Sequence, residues 1–136
     1  MTTTHFATLT EGRAHFKDLF DAAESGRPAS VRRESSRAAV VDAERLRQAL
    51  ATLQPSGAEL VAEAGGWSLF IPGLPVAVDA ATMDEVLDEM VQALREYADD
   101  WTDRLLYAPN HSQNWGLVQL IALSDDQQLK DWLVGQ

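Results

Sequence analysis

The chain has 136 residues, with 11 Lys and Arg against 21 Asp and Glu for a formal net charge of −10, and it contains no cysteine. That length fits one ordinary domain or two small modules with modest cores, and the missing cysteine excludes disulfides and thiolate metal sites. No apolar run approaches the roughly 20 residues needed to span a bilayer, and Met1-Thr2-Thr3-Thr4-His5 lacks the basic and apolar regions of a secretory signal, so a cytoplasmic location without membrane attachment is expected.

Phe6-Ala7 reads as a short first strand. Thr8 with Glu11 three residues later forms a capping box, the signal that opens a helix. Phe16, Leu19, Phe20 and Ala23 follow at helical spacing on that one helix. Gly26 should close it in the left-handed conformation, and Pro28 blocks its continuation. Ala29 to Arg33 and Arg37 to Val41 then read as two strands of a hairpin, joined by a polar turn at Glu34-Ser35-Ser36. Asp42 caps the next helix, whose apolar positions are Leu46, Ala49, Leu50 and Leu53.

Gln54-Pro55-Ser56-Gly57 is rich in turn formers and coincides with a change of charge, so a boundary is expected there: residues 1–54 as a first module, 55–57 as a linker and 58–136 as a second module. Residues 1–54 hold eight bases and seven acids, net +1. Residues 55–136 hold three bases and fourteen acids, net −11. A nearly neutral segment with clustered arginines can face phosphates, whereas the acidic remainder favours a cationic protein.

Beyond the boundary, Ala58 to Ala64 reads as a short helical piece stopped by Gly65-Gly66. Trp67 to Ile71 reads as a strand, Pro72-Gly73-Leu74-Pro75 as a turn and Val76 to Val78 as the returning strand. Thr82 and Glu85 make a second capping box, and Met83, Val86, Leu87, Met90, Leu94, Tyr97 and Trp101 trace one helical face. Pro109 to Trp115 is a polar loop. Leu117, Leu120 and Ile121 mark a short helix, and Ser124 with Gln127 opens a last one carrying Leu129, Trp132 and Leu133. The expected fold class is α+β: a small β-α-β-β-α module followed by a small antiparallel sheet with packed helices.

The first fifty residues resemble the Phd/YefM antitoxins. The resemblance is carried by Thr10-Glu11-Gly12-Arg13-Ala14-His15-Phe16, by Glu24-Ser25-Gly26-Arg27-Pro28 and by Ser36-Arg37-Ala38-Ala39-Val40-Val41-Asp42. It implies an N-terminal module that dimerises and binds operator DNA as an autorepressor, and a C-terminal region that neutralises a toxin encoded beside it. A core of roughly ten large apolar side chains is marginal by itself, which favours a homodimer on physical grounds as well. Arg13 is placed closest to the bases, because a guanidinium makes two hydrogen bonds to guanine in the major groove. Lys17, one turn on, is a phosphate contact, as are Arg32, Arg33 and Arg37 at the hairpin, although strand alternation keeps Arg32 and Arg33 from facing the same way. Asp18, Asp21 and Glu24 weaken the positive field of the first helix.

Gly66 to Pro75 and the helix after Thr82 are similar to the core of HicB-type antitoxins, a small sheet with a packed helix related to part of a ribonuclease H fold. The strands offer only Asp79 as an acid, so no catalytic metal site is expected. The acids along the long helix are read as a solvated face or as a docking surface for a basic toxin. Trp115, Leu117, Leu120, Ile121, Leu129, Trp132 and Leu133 either dock in a groove of that toxin or complete the core of the second module, and periodicity does not separate the two.

His5, His15 and His111 are scattered, Ser112 has no positioned base, and neither Gly-x-Gly-x-x-Gly nor Gly-Lys-Ser/Thr occurs, so no enzyme, metal or cofactor is expected. The expected function is a type II antitoxin that binds operator DNA as a dimer and neutralises a RelE-type ribonuclease. Two other classes fit parts of the pattern: a ligand-responsive transcriptional regulator with a small molecule between the strands and the Met83 helix, and a plain interaction adaptor.

Overall fold

The computed structural model describes residues 3–135. It divides the chain into two compact units, one running to Leu46 and one starting at Arg47.

The first unit is a three-stranded sheet backed by helices. Strand β1 (Thr4–Phe6) pairs in parallel with β2 (Ala29–Arg33), and β2 pairs antiparallel with β3 (Ser36–Ala39). Between β1 and β2 lie two helices, α1 (Leu9–Ala14) and α2 (Phe16–Glu24), where a single helix was expected. The break is at His15, with φ −120° and ψ 32°. Its N–H is shared between the carbonyls of Glu11 and Gly12, and its ring stacks on Phe6 at 5.1 Å between centroids. No glycine or proline announces that break, which is why the apolar spacing concealed it. Thr8 caps α1 by accepting the Glu11 N–H at 3.2 Å, as expected.

The core of this unit is small: Leu19, Ala22 and Ala29, joined by half-buried Phe6 and Val40. Gly12 lets α1 lie directly on the sheet, because a Cβ there would sit 2.6 Å from Val31 Cγ2. Phe16 and Phe20, expected on the inner stripe, are 58% and 51% exposed. The inner stripe of α2 is Leu19, Ala22 and Ala23, so the buried face runs through Leu19 and Ala23 but turns away from Phe16 and Phe20. Gly26 closes the helix with φ +78°. The hairpin turns on two residues, Glu34 and Ser35, since Arg33 already pairs with Ser36; Glu34 takes the left-handed conformation at φ 55°.

Helix α3 (Ala43–Leu53) is capped by Asp42, which accepts the Arg45 N–H at 3.0 Å. Arg45 in turn donates to the carbonyls of Ala23 and Glu24 at 3.3 and 3.0 Å, satisfying the C-terminal end of α2. The residues after α3 are tied into the second unit: Trp132 Nε1 donates to Gln54 O at 2.8 Å and Ser56 Oγ to Leu133 O at 3.2 Å.

The second unit is an antiparallel meander of β4 (Glu59–Glu63), β5 (Gly66–Phe70) and β6 (Ala77–Ala80), followed by α4 (Met83–Asp103), α5 (Trp115–Leu123) and α6 (Asp126–Val134). Strand β4 replaces the helical piece expected over Ala58 to Ala64. Alanine and glutamate favour helix in isolation, but in-register pairing with β5 overrides that weak preference. The reversal uses Gly65 at φ +86°, so Gly65-Gly66 makes a hairpin rather than stopping a helix. Thr82 caps α4 by accepting the Glu85 N–H at 3.1 Å, as expected.

Along α4, Val86, Met90, Val91, Leu94 and Tyr97 are buried, and α4 packs on β5 and β6 on one side and on α5 and α6 on the other. Arg95 fastens these helices, donating to Ile121 O at 2.5 Å, Ser124 O at 2.9 Å and Asp126 Oδ1 at 2.9 Å. The last helix is opened by a capping box of Asp125 and Gln128, one residue beyond the expected Ser124 and Gln127. Ser124 is instead buried and donates to Leu120 O at 2.6 Å. Among the described residues no helix is long and apolar enough to cross a membrane.

Candidate functional site

Each sheet has one face covered by helices and one face open. In the first, Ala29 points into the core, so alternation along β2 puts Val31 and Arg33 on the helix side and Ser30 and Arg32 on the open side. Residues directly opposite in a ladder share a face. Arg37 pairs with Arg32 and Ala39 with Ser30, and all of them therefore lie on the open face, where His5 Nδ1 and Ser30 Oγ are joined at 2.7 Å. Arg33 and Ser36 sit on the helix side, towards Leu9, which lines the same cavity.

The five candidate DNA contacts thus fall in different places. Arg32 and Arg37 are brought together on the open sheet face. Arg13 is exposed on the last turn of α1, and Lys17 lies beyond the His15 break on α2. Lys17 donates to Asp21 at 2.7 Å, and this hydrogen bond and charge raise its pKa above the ordinary lysine range. The side chains of Arg13, Arg27, Arg32, Arg33 and Arg37 have no hydrogen-bond or ion-pair partner among the described residues. In the second unit every base is engaged: Arg95 with Asp126, Arg104 with Asp100 at 3.9 Å, Lys130 with Asp88 at 2.5 Å, and Arg47 likewise. The hydrogen bond to Asp88 holds the Lys130 pKa above its usual value.

In the second sheet, Leu69 is buried and shares the helix side with Leu60 and Val78, opposite it on either side. The open side carries Glu59, Val61 and Glu63 from β4, Ser68 and Phe70 from β5, and Ala77 and Asp79 from β6. Ser68 Oγ donates to Asp79. Nothing in the sequence reading placed these residues together; the Gly-Gly pair between two short runs was the signal for the hairpin.

Six of the seven candidate toxin contacts are inside the second unit. Leu117, Leu120, Ile121, Leu129, Trp132 and Leu133 are all buried, and only Trp115, at 53% exposure, faces outward. In the folded chain these six complete the core. His111, set aside as a loop histidine, is half-buried: its Nδ1 lies 2.9 Å from Tyr97 Oη, which also accepts from Asn114 Nδ2 at 2.8 Å, and the His111 carbonyl accepts from Trp101 Nε1. This network pins residues 111–114 to α4. No group of three His, Cys, Asp or Glu among the described residues is placed to hold a metal ion.

The family described as PHD_like, "Antitoxin of toxin-antitoxin, RelE / RelB, TA system", matches residues 2–134. The chain belongs to this antitoxin family. The antitoxin is also similar to a crystal structure from Syntrophomonas wolfei subsp. wolfei, described as the antitoxin part of a proposed toxin/antitoxin system. The two are 24% identical, with a TM-score of 0.77 over 97% of this chain and 96% of that one, a likeness that establishes the α+β fold. No curated protein matches the antitoxin. Membership implies a toxin as its partner.

Proposed function

We propose that the antitoxin is a cytoplasmic, non-enzymatic autorepressor of the Phd/YefM kind: its first module binds operator DNA as a homodimer, and its second, HicB-like module neutralises a basic toxin, a RelE-type ribonuclease. The observation that carries the DNA half is the set of five unpartnered arginines in the first unit, beside a second unit whose bases are all engaged. Arg32 and Arg37 lie directly across the ladder from one another. Like charges in that position repel, and a phosphate between them removes the repulsion. Arg33 and Lys17 add phosphate contacts, and Arg13 reads a base edge. Exposed Phe16 and Phe20 supply an apolar strip for the second copy, and the small core of this unit gains stability from that association.

The toxin half rests on family membership and on the surplus of acids in the second unit. Of the seven residues expected to meet the toxin, only Trp115 is exposed enough to be a direct contact in this reading, and the buried six hold the helices that present it.

A gel-shift assay with the DNA upstream of the coding sequence tests the first half. The double variant Arg32→Ala/Arg37→Ala should weaken binding by about tenfold or more and flatten the salt dependence by about two counterions. Arg13→Ala should relax sequence preference. Absence of a shift, with or without toxin, sinks the repressor reading; failure to co-purify with the adjacently encoded protein sinks the toxin reading.

A further inference from the structure

The open face of the second sheet combines features that the solvated helix acids do not. Val61, at its centre on β4, is 44% exposed, and half-buried Phe70 lies on the adjoining strand. Glu59 and Glu63 flank Val61 along β4, and Asp79 stands at the far edge on β6. An apolar centre with a charged rim is the anatomy of a protein interface. None of the three carboxylates meets a base, and the four bases of this unit are all committed elsewhere. No base of this unit neutralises the face, and complementary cations must come from outside the unit.

Four of the eight acids on α4 have other work. Asp84 and Glu85 occupy its first turn, where they favour the helix dipole, and Asp88 and Asp100 are paired with Lys130 and Arg104. Charge on an edge strand also discourages unwanted strand pairing. That accounts for Glu59 and Glu63 on β4 and for Asp79 on the opposite edge, but not for an exposed valine between the two glutamates.

We propose that this open face of β4, β5 and β6 is where the cognate toxin docks, with an apolar side chain of the toxin between Val61 and Phe70 and its lysines or arginines on Glu59, Glu63 and Asp79. The inference rests on the reading that the second unit neutralises a basic toxin. Because α4 covers β5 and β6, β4 also offers a free edge from which the contact can extend to the area that a stable complex needs.

The test uses the full chain and the basic protein encoded in the adjacent reading frame, with affinity measured by titration calorimetry at two salt concentrations. Glu59→Lys/Glu63→Lys should weaken binding by about tenfold or more, and Val61→Ala should weaken it without changing its salt dependence. Glu89→Lys/Asp99→Lys, which makes the same change in net charge on the exposed side of α4, should alter affinity less than about threefold. Equal losses in the two double variants, or none in either, overturn the docking face while leaving the toxin reading intact. Absence of binding by the unmodified chain overturns both. If the lysine variant fails to fold by circular dichroism, Glu59→Gln/Glu63→Gln keeps the strand and should still lower affinity more than Glu89→Gln/Asp99→Gln.

Discussion

The first sheet is backed by helices of six and nine residues that bury little more than Leu19, Ala22, Ala23 and Ala29, whereas the second is backed by the 21-residue α4 with two further helices behind it. Both sheets have three strands and one open face. The difference lies in what the sequence leaves unsatisfied: free arginines and two exposed phenylalanines in one unit, free carboxylates around an exposed valine in the other. A small core leaves even its two helix phenylalanines outside, while the large core draws Met90, Leu94, Tyr97 and Trp132 inward and still leaves Val61, Tyr107 and Trp115 exposed.

The largest effect expected from that contrast is in the deep core. Leu94→Ala, at a fully buried position, should cost about 2–5 kcal/mol in urea unfolding, and Leu19→Ala should fall at the lower end of that range because its surroundings can collapse. A larger loss at Leu19 than at Leu94 would reverse the comparison. Next, Gly12→Ala forces α1 off β2 and should cost about 1–3 kcal/mol by overpacking, with operator binding falling in parallel. Thermal melting and gel shift together check it; an unchanged melt would mean that α1 is loosely held.

Smaller in size is Arg37→Thr. Removing one member of the cross-strand arginine pair should raise stability by about 0.2–1 kcal/mol while lowering DNA affinity, so the two measurements move in opposite directions. A loss of both would point to a structural role for Arg37. Smallest is the pH response. The folded-state pKa values of Lys17 and Lys130 are raised above 10.5, so their ion pairs contribute fully below that pH and are lost as pH rises through the folded values. Alkaline titration of stability should show a decline beginning above pH 10.5 that is shallower in Lys130→Gln.

Much of this fold is written locally. Thr8, Asp42 and Thr82 cap helices where their spacing says they should, Gly26 turns left-handed, and the face of α4 from Val86 to Tyr97 is buried. The errors share a cause. Ala58 to Ala64 has helix-favouring residues, yet pairing with β5 decides its conformation. The helix break falls at His15, whose ring stacks on Phe6, a residue nine positions earlier. Phe16 and Phe20 read as core by spacing, but the buried face of α2 is centred on Leu19, Ala22 and Ala23. The site was legible as charge and hidden as geometry: that Arg32 pairs with Arg37, or Val61 with Ser68, follows from register, which composition does not carry.

The tie between residues 54–56 and the last helix carries a consequence for modularity. Trp132 reaches the carbonyl of Gln54 and Ser56 reaches that of Leu133, so the part of the second unit that follows α3 enters and leaves at one spot. A fold whose ends meet can be excised, spliced into a loop of an unrelated carrier, or permuted, with new ends opened at the Gly73 turn. Such a cassette would carry the second sheet and its three helices into a new host without the first unit.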